Sequence, residues 1–143
     1  MRKVVTENQK HLRAWITGVL GIKFDANTMC IGQEIDGEIG AVVAYTNIQD
    51  NSCAMHQAAI VPNWISKDLL WACFDYPFNT LKVKVILAAV SSNNEEALKL
   101  DRHLGFIDKA YIEDAHTDGD LVILAMRREN CRWLDLKTPL KGE

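Results

Sequence analysis

The stretch from Val83 to Phe106 constrains this chain more than any other. Val83-Lys84-Val85-Ile86-Leu87-Ala88-Ala89-Val90 is a near-continuous apolar run, the pattern of a strand covered on both faces. It feeds into Ser92-Asn93-Asn94-Glu95-Glu96-Ala97-Leu98-Lys99-Leu100-Asp101-Arg102-His103-Leu104-Gly105-Phe106, which carries the marks of both ends of a helix. Ser92 or Asn93 can cap its start, with Glu95 or Glu96 completing a capping box three residues on. The two acids suit the positive end of the helix dipole, and Arg102 and His103 suit its negative end. Gly105 can supply the left-handed residue that stops the helix, with Phe106 folding back against it.

The rest of the chain supplies turns at short intervals. Residues 2–5 read as a short strand, and Thr6 with Gln9 in the capping-box position reads as the start of a helix. Leu12, Trp15, Ile16, Val19 and Leu20 recur at helical spacing, and Gly21 is the stop. Strands follow over Thr28 to Asp36 and Glu38 to Ile48, around Asp36-Gly37, a dipeptide that suits the positive φ angles of a tight hairpin. Gln49-Asp50-Asn51 turns into a third strand, Ser52 to Val61. Trp64 to Tyr76 reads as a helix with Ile65, Leu69, Cys73 and Tyr76 on one stripe, closed by Pro77. After the 83–90 strand and the 94–104 helix, Ile107 to His116 and Asp120 to Arg128 form a closing hairpin across Thr117-Asp118-Gly119. The order β-α-β-β-β-α-β-α-β-β predicts an α+β (mixed α/β) domain with helices packed on a mostly antiparallel sheet.

The chain has 143 residues, enough for one ordinary core, so residues 1–143 read as a single domain with a polar tail over 130–143. Trp133 and Leu134 in that tail suit contact with a second subunit, so a homodimer is possible. A formal charge of -3 provides no basic footprint, and no nucleic-acid partner is expected. The four cysteines, Cys30, Cys53, Cys73 and Cys131, form no close pair, so reduced, mostly buried thiols are expected and no metal site. No apolar run approaches the roughly 20 residues that span a bilayer. Without that run or a leader pattern, a soluble, cytoplasmic protein is expected, with no membrane partner.

Three places can carry chemistry. The junction Ile60-Val61-Pro62-Asn63-Trp64-Ile65-Ser66-Lys67-Asp68-Leu69-Leu70 puts a helix N-terminus and Lys67 where an anion can sit, although Asp68 repels one and glycines are lacking. An ordinary capped helix explains it as well. Asp101 borders the apolar stripe of its helix, where partial burial raises a carboxyl pKa and makes a proton donor. Pairing with Arg102 or Lys99 is the plainer reading. His56 stands mid-strand with Ala54 and Ala58 on its face, leaving room for a substrate beside a group that titrates near neutrality. It can equally be a hydrogen-bonded histidine on a solvated face. Glu34, Asp36 and Glu38 form an acidic rim at the hairpin, suited to an amine.

The element order together with Asn94-x-x-Ala97 and Leu104-Gly105-Phe106 resembles the GNAT superfamily of acyl-CoA-dependent N-acetyltransferases, from about Arg2 to Arg128. The second strand of the closing hairpin, Asp120 to Arg128, is similar to the family's ending. The resemblance implies the GNAT fold and transfer of an acetyl group from acetyl-CoA, the co-substrate, to a primary amine by direct attack. It implies that Ala59, Ile60 and Val61 pair with the pantetheine arm by their backbone. Trp64, Ile65, Ser66, Lys67, Asp68 and Leu69 would cradle the pyrophosphate, and Asn94 and Ala97 would line the far side of the arm. Where the family carries its glycine loop this chain has Ile65, Asp68 and Leu70. Where the family often has a tyrosine acid it has Asp101. His56, or a water held by Glu34, would deprotonate the amine. The alternative is a GNAT-like fold without catalysis, a binding or protein-interaction module using Trp64, Trp71 and Trp133.

Overall fold

The computed structural model describes residues 1–137. Its strands are β1 (Arg2–Val5), β2 (Met29–Ile35), β3 (Glu38–Thr46), β4 (Ser52–Ala59), β5 (Val85–Ser91), β6 (Ile107–His116) and β7 (Gly119–Arg127). Its helices are α1 (Gln9–Leu20), α2 (Lys67–Asp75) and α3 (Glu95–Leu104). The seven strands form one sheet in the order β1-β2-β3-β4-β5-β7-β6. Every neighbouring pair is antiparallel except β4 with β5. This is the α+β class expected. The Asp36-Gly37 hairpin forms with φ of 51° and 89°, the left-handed conformation that the dipeptide tolerates.

Each face of the sheet has its own core. On one face Leu12 and Ile16 of α1 pack on Cys30, Val42, Ala44 and Ala58. Gly32 permits this approach, since a Cβ there would stand 2.9 Å from a Leu12 methyl. On the other, Leu69 and Phe74 of α2 and Leu98 and Leu104 of α3 pack on Val43, Tyr45, Ile86 and Leu124. All four cysteines are buried and free.

Local signals misplace several boundaries, each for a tertiary reason. Asn8, not Thr6, caps α1, because the Gln9 side chain is drawn to β2. Its amide accepts from Cys30 N at 2.7 Å and donates to Cys30 O at 2.8 Å. The second helix begins at Lys67, not Trp64, with Ser66 as its cap. The α-helix ends at Asp75, beside the stop that Pro77 signals, and the chain continues through a π turn at Tyr76–Thr80; Cys73 O, which proline cannot bond, accepts from the Tyr45 hydroxyl at 2.5 Å instead. In α3 the cap is Asn94, accepting from Ala97 N at 3.2 Å. Strand β5 is not covered on both faces. Ile86, Ala88 and Val90 are buried, but α1 stops over β4, so Ala89 is exposed and Leu87 half-covered.

The described part of the tail packs on the end of α3. Trp133 donates its indole N–H to Leu104 O at 2.7 Å, and Arg132 donates to His103 O at 2.7 Å. The tail thus satisfies free carbonyls at the C-terminus of α3.

Candidate functional site

Strands β4 and β5 pair only over Ser52–Val85, Cys53–Ile86 and Ala54–Leu87. Beyond that they separate. β4 continues along β3 as far as Ala41–Ala59, and β5 along β7 as far as Ser91–Leu121. The edges of β4 and β5 that face each other past Ala54 and Leu87 therefore have no strand partner. Backbone groups in that position require partners from solvent or a ligand. The gap opens into a cleft of about 400 Å³ bordered by His56, Gln57, Ala89, Asn94, Ala97 and Asp101. That size falls in the range of small-ligand sites.

The start of α3 forms one wall. Ser92 and Asn93 do not cap the helix because they hold the β6–β7 hairpin. Ser92 N donates to Asp120 O at 2.8 Å, Asp120 N donates to Ser92 Oγ at 3.2 Å, and the Asn93 amide donates to Asp118 O. Capping passes to Asn94, the next residue able to accept. Gly119 is required at this clamp: its φ is +148°, and a Cβ there would lie 2.7 Å from Asn93 Nδ2. The clamp brings His116 and Asp118 to the cleft's lip, where no local sequence signal placed them.

Asp101 lies inside, 5% exposed. The surface pairing does not form, because Arg102 turns to Asp108 in a two-pronged contact at 2.8 and 3.1 Å. Asp101 instead accepts a hydrogen bond from Gln57 Nε2 at 3.0 Å. Burial pushes its pKa up from 3.8 to about 6, against the smaller lowering effect of that bond. Gln57 is a residue that sequence reasoning passed over; alternation along β4 puts it on the Asp101 side.

His56 points to the opposite face of β4. Its Nε2 lies 2.8 Å from Thr46 Oγ1, and Phe24 meets its ring edge-on at 5.3 Å. Burial lowers its pKa from the ordinary value, which leaves it neutral at pH 7. Both His56 and Asp101 border the cleft. Glu34 does not: it lines a separate depression with Lys3, Glu7, His11 and Glu38.

The second strand-to-helix junction lies past the end of β4. Ala59 ends the strand, Ile60 is exposed, and Val61 is half-buried. Trp64, Ile65 and Leu69 turn inward, bordering a small apolar void of about 20 Å³ with Met55 and Leu104. Ser66 Oγ accepts from Leu69 N at 3.0 Å, and Lys67 is exposed. Asp68 is offset by Lys137, whose Nζ lies 3.4 Å from the carboxylate and 4.5 Å from the centre of the Trp71 ring. Arg2, from the far edge strand, donates to Asn63 O at 3.2 Å and Ile65 O at 3.0 Å. Nothing in the order of the sequence brings Arg2 to this loop; only the β1–β2–β3–β4 meander does.

Neither a protein-family model nor a curated protein sequence matches the chain. Solved structures do. A variant form of the spermidine/spermine N-acetyltransferase SpeG from Vibrio cholerae superposes with a TM-score of 0.74 at 14% identity, covering 96% of this chain and 100% of that one. The dodecameric structure of the same enzyme in an intermediate state gives 0.71 at 13% identity, over 90% of this chain and 94% of that one. A protein described as a probable acetyltransferase gives 0.63 at 16% identity, over 73% of this chain and 63% of that one. The splayed β4–β5 pair, the element order and these superpositions agree: the chain has the fold of the GNAT superfamily of N-acetyltransferases.

Proposed function

We propose that this protein transfers an acetyl group from acetyl-CoA to a primary amine by direct attack. The observation that carries the reading is the separation of β4 from β5, which leaves strand edges unpaired beside a buried carboxyl group, Asp101. The unpaired edge of β4 suits the amide-bearing arm of the co-substrate, with Ala59, Ile60 and Val61 at its outer end and Asn94 and Ala97 across the gap. The phosphate end fits less conventionally. In place of glycines, the α2 start offers Lys67 and Arg2, with Asp68 partly neutralised by Lys137.

Acetyl-CoA would supply the activated acyl carbon as a thioester. The residues of the chain would bind, orient and move protons. His56, neutral at pH 7, accepts a proton from the amine at Nδ1 when its Nε2–H is donated to Thr46. Backbone N–H groups of β4 polarise the carbonyl. Asp101 delivers a proton to the departing sulfur; with a ligand excluding water from the cleft, its pKa moves higher still. Glu34 stands too far round the sheet to hold a water for this step and is better suited to attracting a cationic substrate. The acceptor is therefore an amine of unspecified class.

Titration calorimetry with acetyl-CoA and with CoA tests the reading. Saturable binding, together with thiol release on adding polyamines, small amines or peptides, supports it. No heat at millimolar acetyl-CoA ends it. A module without catalysis is the second reading, favoured by the apolar packing of Trp64, Ile65 and Leu69 where the family carries its glycine loop. Its tryptophan interface has weaker support, since Trp64, Trp71 and Trp133 are each at least half-buried.

A further inference from the structure

A second cavity lies at the other end of the sheet. It measures about 500 Å³ and is framed where β5 begins and β7 ends. Lys82, Lys84, Arg127 and Arg128 line it, against one carboxylate, Glu129. In a chain of net charge -3 this concentration of cations is not a consequence of composition. It is also separate from the acyl cleft: Lys84 stands four residues before Ala88, the first residue of β5 on that cleft, about 13 Å of extended chain.

Three features give the cavity the character of a built site. The backbone carbonyls of the π turn, which would repel an anion, are occupied: Tyr76 O by Leu81 N at 2.9 Å, Pro77 O by Val83 N at 3.1 Å, and Phe78 O by Arg128 Nη1 at 2.7 Å. That last bond holds the Arg128 side chain in place and leaves its other N–H groups to a ligand. Glu129 is engaged by Arg127 at 2.9 Å, so the acid is already answered. The third feature is strain. Among the described residues five non-glycines have positive φ, and four of them are Asn or Asp, which tolerate that conformation; Lys82, at 62°, is the fifth. A lysine held left-handed, where glycine would cost less, is kept for its charge.

We infer that this cavity binds a compact phosphorylated anion, of the pyrophosphate or nucleoside diphosphate class, held by Lys82, Lys84 and the arginines. Concavity favours a small ligand over a nucleic-acid backbone, which needs an extended basic surface. The site is independent of the acetyl-transfer reading.

Calorimetry with sodium pyrophosphate at about 0.1 M salt tests it, on the wild type, Lys84→Ala and Lys82→Gly. Saturable binding is expected, weakened roughly tenfold in each variant, about the loss of one charge–phosphate contact. Lys82→Gly keeps the control honest, since relief of the left-handed strain raises its melting temperature while the ligand is lost. Lys67→Ala, at the α2 start, leaves this binding unchanged. Adenosine diphosphate binding more tightly than pyrophosphate points to a nucleotide as the source; equal affinity points to bare polyphosphate. Absence of saturation at millimolar pyrophosphate, full affinity in both lysine variants, or tighter binding of an oligonucleotide overturns the inference.

Discussion

The two strand-to-helix junctions of this fold use the same local device to different ends. At α2 the serine cap Ser66 accepts from Leu69 N, and at α3 the asparagine cap Asn94 accepts from Ala97 N. Around the α3 start the contacts are closed: Ser92 and Asn93 clamp a hairpin, and about two turns on the helix buries Asp101 against Gln57. Around the α2 start they are open, with Lys67 exposed and the loop tied down by distant residues, Arg2 and Lys137. A cap sets where a helix begins; what reaches the cap from elsewhere decides whether the junction shapes a site or merely borders one.

The largest expected effect is at Asp101. Its pKa rises from 3.8 in the unfolded chain to about 6 on folding, so the folded protein holds a proton that the unfolded chain has released. The contribution of Asp101 to stability is therefore greatest below about pH 4, falls as pH rises to about 6, and stays flat above. The total change is about 3 kcal/mol. Asp101→Asn keeps the Gln57 bond without the charge. We expect it to gain about that much stability at pH 8 and to lose the pH-dependent slope, read by urea melts at pH 4 and pH 8. On the acetyl-transfer proposal, turnover should fall roughly 100-fold as the proposed proton donor is lost, and the alkaline limb of the rate profile should disappear. Unchanged stability at pH 8 would mean that Asp101 is solvated and the two junctions differ less than the geometry implies.

Breaking the clamp comes next. Gly119→Ala places a methyl 2.7 Å from Asn93 Nδ2 and forces φ of +148° on an L side chain. A loss of about 2 kcal/mol is expected, with hydrogen exchange quickening at Ser92 and Asp120. Because His116 and Asp118 sit on the same hairpin, ligand affinity should drop with it. If Gly119→Ala lowers stability without touching affinity, the hairpin is scaffold only.

Much of the fold was legible, and the failures share a cause. Element order, the Asp36-Gly37 hairpin and the Gly105 stop are local, and each is found where turn and cap chemistry puts it. The wrong caps at Ser92 and Asn93 arose because residues that are good caps are also good partners for other segments, and the longer-range bonds won; at Thr6 the box partner Gln9 bonds Cys30 instead. The site was legible in half. Asp101 was found because an acid at the edge of an apolar stripe is unusual, but Gln57, its partner across the sheet, has no such mark. His56 was placed on its face by alternation, whereas its remoteness from Glu34 depends on β3 lying between β2 and β4 and on a register that sets His56 opposite Ala44 and Glu34 opposite Ile39. Arg2 could not have been found, since the loop it bridges lies 61 residues further along the chain.

Truncating the two caps separates their roles at smaller cost. Ser66→Ala and Asn94→Ala should each lose about 1 kcal/mol, roughly 3 °C in melting temperature. Only Asn94→Ala is expected to weaken acetyl-CoA binding severalfold beyond what the lost stability explains, because its side chain borders the cleft. Equal effects on affinity would place both helix starts against the ligand.

Arg2→Ala carries the smallest effect on stability and the sharpest question about the open junction. Arg2 is exposed, so less than about 0.5 kcal/mol of stability is at stake. What it supplies is position: one guanidinium nitrogen bridges the Asn63 and Ile65 carbonyls and fixes the loop ahead of Lys67. Acetyl-CoA affinity is expected to fall roughly threefold to tenfold, with a shallower dependence on salt, as one cation leaves the phosphate end. Lysine should not restore it, because the planar, branched guanidinium can bond the loop and still present N–H groups outward, whereas an ammonium on a flexible stem concentrates its donors at one point. If Arg2→Lys binds acetyl-CoA as well as the wild type, the contribution is charge alone. Titrations of Arg2→Ala, Arg2→Lys and Lys67→Ala at two salt concentrations distinguish these outcomes. The bridging geometry predicts that only Lys67→Ala leaves the loop's hydrogen exchange unchanged.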